Sequence, residues 1–226
     1  MNQSRINRII ANMRKENLTQ ILVTAPTSVF YLTGTWIAPG ERMLALLVKD
    51  DGSVTLYANR LFALNGVVDV PLVEFDDTDD SVAILAEAIA PGVIGIDKFW
   101  PSQFTIRLME ARSDVRPVLG SKPVDEARML KDAEELALMR KSSRMNDQVT
   151  GKLIENLHAG MTELDAVALY RKYAKELFAS SESFQPLVCF GPTAPSPTTP
   201  PTIPCSRTAT ASSSTSASPG RATAAI

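Results

Sequence analysis

Histidine and cysteine are nearly absent: the 226 residues contain one histidine, His158, and two cysteines, Cys189 and Cys205. These three positions share no metal-ligand spacing, and two cysteines are too few for a disulfide scaffold. Neither charge is in excess, with 23 Lys+Arg against 25 Asp+Glu and a net charge of -2. Nucleic acid and anionic membrane, which call for a basic surplus, are therefore not expected partners. No long apolar run opens the chain: Met1 to Leu18 alternates polar and apolar residues, unlike a secretory signal or a membrane span, so a cytoplasmic address is expected. There is no Gly-x-Ser-x-Gly element, and Thr33-Gly34-Thr35 has no following lysine to complete a phosphate-cradling loop.

What is present reads as an α/β domain. Ile6, Ile9, Ile10 and Met13 make one apolar helical stripe, and Ile21-Leu22-Val23 follows as a short buried strand. Met43 to Lys49 and Ser53 to Ala58 flank Asp50-Asp51-Gly52, a hairpin signal because Asp-Gly accepts the positive φ of a tight turn. Val67 to Phe75 is expected as strand, Asp80 to Ile89 as helix and Val93 to Ile96 as strand. Then come a helix opened by Pro101 and running to about Arg112, and a strand at Val115 to Leu119.

The texture changes at Val124. Asp132 to Leu157 carries Leu136, Leu138, Met139, Met145, Val149 and Leu153 among many charges, and Met161 to Phe178 repeats the style after Ala159-Gly160. Two long amphipathic helices are expected, the second capped by Thr162 with acids behind it. Leu187 to Phe190 reads as a first buried strand. From Gly191 to Ile226 there is no Asp, Glu, Lys or aromatic residue, and seven of the fifteen prolines fall there. Such a composition cannot offset its ordering entropy by burial, so a disordered tail is expected.

Most candidate chemical residues have a plain structural reading. His158 sits at a helix C-terminus, where a cation suits the dipole. The acid run Glu74, Asp76, Asp77, Asp79 and Asp80 lacks the spacing of a calcium loop and reads as a solvated turn before a helix. Lys131, Asp132, Glu134, Glu135, Arg140 and Lys141 read as an exposed face with helical charge pairs.

The order of the motifs carries more. Pro26-Thr27-Ser28-Val29-Phe30-Tyr31-Leu32-Thr33-Gly34 and Pro39-Gly40-Glu41-Arg42-Met43-Leu44-Ala45-Leu46-Leu47-Val48 resemble the N-terminal domain of the Xaa-Pro dipeptidases, or prolidases. Arg128-Met129-Leu130-Lys131-Asp132-Ala133-Glu134-Glu135, Gly160-Met161-Thr162-Glu163 and Ser183-Phe184-Gln185-Pro186-Leu187-Val188-Cys189-Phe190-Gly191 resemble the opening of that family's pita-bread peptidase domain. Creatinase and aminopeptidase P share the architecture.

The resemblance implies a creatinase/prolidase-type N-terminal domain over 1–123, a mixed sheet with flanking helices. An incomplete α+β pita-bread domain follows over 124–190, and the tail over 191–226. It also implies a homodimer formed through the N-terminal domain, which walls the partner's active site. Tyr31, Trp36 and Arg42 are the residues placed at that contact, against the plainer reading of core aromatics and a surface ion pair. Family members hydrolyse the bond before proline with two divalent ions (Mn, Co or Zn) held by two Asp, one His and two Glu, all beyond the Phe190-Gly191 position. With no carboxylate after Glu182 and no histidine after His158, no catalytic or metal residue carries over, no cofactor is expected for this chain, and it is expected to be inactive. The alternative is a non-catalytic dimerisation or peptide-binding module.

The tail also fits the family's string displaced by one nucleotide in a G/C-rich gene. Pro197-Thr198-Thr199 then stands for P-H-H, Cys205-Ser206-Arg207-Thr208-Ala209-Thr210 for V-L-K-D-G-D, and Thr215 takes the place of the first metal-binding Asp.

Overall fold

A computed structural model describes residues 2–177, 185–188 and 190. The expected tail lies outside the described residues. The chain divides into two compact units, Met1–Lys131 and Asp132–Ile226.

The first unit is built on a six-stranded sheet. Helix α1 (Gln3–Lys15) starts where the Asn2 side chain accepts a hydrogen bond from the Arg5 N–H. Its stripe Ile6, Ile9, Ile10 and Met13 is buried as the spacing requires. Strand β1 (Gln20–Val23) follows, then α2 (Pro26–Thr33), which Gly34 ends in the left-handed conformation with φ 76°. Strands β2 (Leu44–Lys49) and β3 (Val54–Asn59) pair antiparallel, Leu44 opposite Ala58 and Val48 opposite Val54. Their turn is the one expected: Gly52 has φ 95°, and Asp51 accepts from the Ser53 N–H at 2.8 Å. After a short 3₁₀ turn (Arg60–Phe62) come β4 (Leu72–Phe75), α3 (Ser81–Ala88), β5 (Gly92–Ile96), α4 (Ser102–Ala111), β6 (Val115–Leu119) and α5 (Lys122–Met129).

The strand order is β4-β3-β2-β1-β5-β6. The β1–β2 and β2–β3 pairs are antiparallel, and β3–β4, β1–β5 and β5–β6 are parallel, so the sheet is mixed as expected. Side chains of one strand alternate between two cores. Ile21, Val23, Leu44, Leu46 and Val48 pack with α1, α2 and α5 on one face. Leu22, Ala45, Leu47, Tyr57 and Ile94 pack with α3 and α4 on the other.

Some details differ from expectation. Of the expected strand Val67 to Phe75, only Leu72–Phe75 is strand. The Val67 and Val68 N–H groups turn back onto the Leu64 carbonyl, and Pro71, which has no N–H, stands just ahead of the ladder. Helix α5 packs with the first unit, past the expected boundary at 123, because Val124 and Ala127 belong to the core under α1. Between β5 and β6 the backbones nearly touch: a Cβ added to Gly120 would lie 2.5 Å from the backbone of Gly95.

The second unit contains α6 (Ala133–Asn156) and α7 (Glu163–Leu177), close to the two expected helices. Asp132 and Glu135 form a reciprocal capping box at the start of α6. Val149 and Leu153 of α6 pack with Ala166, Val167 and Tyr170 of α7 and with Val188. The expected strand at Leu187–Phe190 does not form among the described residues. Val188 is buried against the helices instead.

Candidate functional site

The three residues expected at a contact surface have different surroundings. Tyr31 lies inside the first unit at 8% exposure; its hydroxyl donates to the Ala127 carbonyl at 3.2 Å, and the Arg5 guanidinium stands 4.5 Å from its ring centre. The Arg5 Nη1 also donates to the Tyr31 carbonyl at 2.8 Å, so Tyr31 joins α2 to both α1 and α5. Trp36, in the loop between α2 and β2, is 60% exposed and meets the half-exposed Phe30 edge to face, with ring centres 6.0 Å apart. Arg42 is held by Asp77, its Nε and Nη2 donating to the two carboxylate oxygens at 2.8 and 2.6 Å.

Asn59, at the end of β3, donates a third bond to Asp77 at 2.8 Å. The fork of Arg42 and this amide hold the Asp77 carboxyl below the ordinary carboxylate value. Asp76, Asp79 and Asp80 of the acid run are committed in the same way. Asp76 accepts from the Thr78 hydroxyl and N–H, Asp79 from the Asp76 N–H, and Asp80 caps α3 through the Ala83 N–H and pairs with Arg107. These bonds keep Asp76 and Asp80 below the ordinary range as well. The run is a turn that orders β4, α3 and the Arg42 loop, in keeping with its plain reading.

One buried carboxylate is invisible in the sequence. Asp97, 7% exposed, follows β5 and accepts from the Ala25 N–H at 3.4 Å and the Phe99 N–H at 2.9 Å, tying the entry of α2 to the end of β5. A lone Asp in Ile96-Asp97-Lys98-Phe99 carries no signal of that role.

In the second unit, His158 is exposed and its Nδ1 lies 3.0 Å from the Ala159 carbonyl oxygen. Asp165 accepts from the Thr162 hydroxyl and N–H, which lowers its carboxyl, with a smaller contribution from His158. Glu163 accepts from the Phe190 N–H at 2.9 Å, tying Phe190 to the start of α7. Among the described residues, no three His, Cys, Asp or Glu side chains come together as a metal site. A centre of two divalent ions needs several oxygen and imidazole donors converging, and the donors described here do not fit it.

The family model of the creatinase/prolidase N-terminal domain matches residues 5–130. The chain belongs to this family. The metallopeptidase family M24 model matches residues 137–210, reaching into the tail segment. Among curated proteins, an uncharacterized peptidase of Staphylococcus aureus (strain USA300) is 25% identical over 202 residues, covering 86% of this chain and 56% of that protein. Among solved structures, a dipeptidase from Pyrococcus horikoshii OT3 superposes with a TM-score of 0.77 at 26% identity, covering 86% of this chain and 55% of that one. A prolidase from Thermococcus sibiricus gives the same TM-score at 24% identity, covering 85% and 55%, and shows the shared fold. This creatinase/prolidase chain thus spans about half the length of the relatives it matches. Among its described residues, no helix is long and apolar enough to cross a membrane.

Proposed function

We propose that the chain derives from a dinuclear-metal Xaa-Pro dipeptidase and, as written, does not hydrolyse peptides. The donor inventory carries this reading. The chain has one histidine, exposed at the end of α6, and no Asp or Glu beyond Glu182. The match to the metallopeptidase family M24 supports descent from metal-dependent enzymes, in which bound ions would supply an attacking water and polarise the scissile carbonyl. The residues here have other work: they build the N-terminal domain and the first helix pair of the peptidase domain.

The same reading assigns the tail to a displaced reading frame. The ungapped register of Pro197 to Thr215 with the family's string supports it. Assay of the purified chain with a proline dipeptide and Mn²⁺, Co²⁺ or Zn²⁺ tests the first part. We expect no metal-dependent hydrolysis, and any turnover abolished by a chelator and restored by metal would contradict it.

A second reading, a non-catalytic dimerisation or peptide-binding module, is favoured by one observation. Phe30 on α2 and Trp36 in the loop that follows present an aromatic pair to solvent. Under this reading two copies meet through the N-terminal domain with Trp36 in the contact. Tyr31 and Arg42 act behind it, as a core strut and the clamp of the loop. A Trp36→Ala chain that self-associates like the unaltered chain would count against it.

A further inference from the structure

The first three turns of α6 expose Leu136, Leu138 and Met139, and Leu138 is bracketed along the helix by charges of opposite sign. On a helix of 3.6 residues per turn, Glu134, Leu138, Lys141 and Met145 lie along one stripe, at i, i+4, i+7 and i+11. Further along, α6 meets α7 through Val149 and Leu153. Leu138 is 60% exposed, Glu134 and Lys141 are exposed, and neither charge has an ion-pair partner among the described residues. Acid and base stand one heptad apart, with the leucine between them.

We propose that this face is a self-complementary surface on which the α6 helices of two copies pair antiparallel, with Leu138 at the two-fold axis. The spacing selects this arrangement. A two-fold axis at Leu138 sends the position four residues before it toward the partner's positions three and four residues after it. Each Glu134 therefore meets the partner's Lys141, and the pair forms twice. A parallel pair in register would set Glu134 against Glu134 and Lys141 against Lys141, which repel. The occupant is thus a second copy of this chain, reached through the second unit and independent of any contact at Trp36. Two helices touching over about three turns bury less than the roughly 1,200 Å² of a stable specific complex, so the pairing is weak and depends on concentration.

Sedimentation equilibrium of the full chain over a wide concentration range tests this, with circular dichroism checking that each variant keeps its helix content. Leu138→Glu and Lys141→Glu are each expected to weaken association about tenfold or more. The exchanged variant Glu134→Lys/Lys141→Glu recreates both pairs and is expected to recover it to within about threefold. A Leu138→Cys chain with Cys189 and Cys205 changed to Ser is expected to form a disulfide dimer on mild oxidation, and Lys141→Glu to slow that step. A chain that stays monomeric, association indifferent to Lys141→Glu, an exchanged variant no better than the single reversal, or no linkage at position 138 would overturn the proposal.

Discussion

The two units use their apolar residues differently. In the first, alternate residues of β1 and β2 feed cores on both faces of the sheet, and every helix from α1 to α5 buries part of its surface. In the second, α6 is the longest helix described, yet only Val149 and Leu153 are buried, while Leu136, Leu138 and Met139 stay exposed. Both sequences are amphipathic, so pattern alone does not separate them. Among the described residues, only the first unit has a sheet for the apolar stripe to lie on. A helix draws most of its stability from such packing, so the first unit is expected to be the cooperative, protected one.

That contrast can be broken most strongly from the core side. Leu46→Ala removes a fully buried side chain from the centre of β2 and is expected to cost about 3–4 kcal/mol. Leu138→Ala on exposed α6 should change stability by less than about 0.5 kcal/mol. Both tryptophans, Trp36 and Trp100, lie in the first unit, so denaturant unfolding followed by tryptophan fluorescence isolates it, and equal effects of the two substitutions on that unit would erase the contrast. Next in size, Gly120→Ala forces a methyl against the Gly95 backbone and should cost about 1–3 kcal/mol by the same readout.

Capping gives a smaller effect, confined to the second unit. Asp132→Ala removes half of the capping box and should lower the stability of α6 by about 1 kcal/mol, seen as faster amide exchange over 133–140 with the tryptophan transition unchanged. Tyr31→Phe, which deletes the hydroxyl bond to Ala127, should cost the first unit about 1 kcal/mol. Its self-association should be unaltered, because the ring lies inside.

Acid offers the mildest lever. Asp76, Asp77, Asp80 and Asp114 are all held below the ordinary value of 3.8 by hydrogen bonds and arginine partners. Protons therefore bind the unfolded chain more readily than the folded one. The stabilisation is complete above about pH 5 and is lost as pH falls through 3.8 toward the lower folded values. The tryptophan transition should weaken over that window, and a midpoint constant from pH 5 to pH 3 would contradict the assignment.

Much of the fold is legible in the residues, and the exceptions have physical causes. The α1 stripe, the Asp50-Asp51-Gly52 hairpin, β5, β6 and the start of α6 follow from local chemistry: periodicity, a turn that needs positive φ, and a cap. Helix α2 is hard to read, because Val29, Phe30, Tyr31 and Leu32 are consecutive apolar residues with no helical period; Val29, Tyr31 and Leu32 enter one core while Phe30 stays half-exposed. The loop at 67–71 looks like strand by composition, and Pro71 with the backbone turn at Leu64 removes it from the ladder. The segment 187–190 is β-prone but has no ladder to join among the described residues.

The candidate site is less legible than the fold. Arg42 is a visible residue whose partner Asp77 lies 35 positions away, and Asp97 acts through backbone groups that no spacing reveals. Trp36 and Arg42 are both visible in the sequence and exposed; Arg42 is tied to Asp77, and Trp36 meets Phe30 edge to face.

The most direct test of the account is the gene itself, read in all three frames across the codons for Phe190 to Thr199 and beyond. The account predicts that the neighbouring frame continues with the P-H-H and D-x-G patterns of the family, and that restoring one base yields metal-dependent cleavage of proline dipeptides. A gene in which no frame carries those patterns would contradict it and leave the Pro/Ser/Thr/Ala segment as genuine protein.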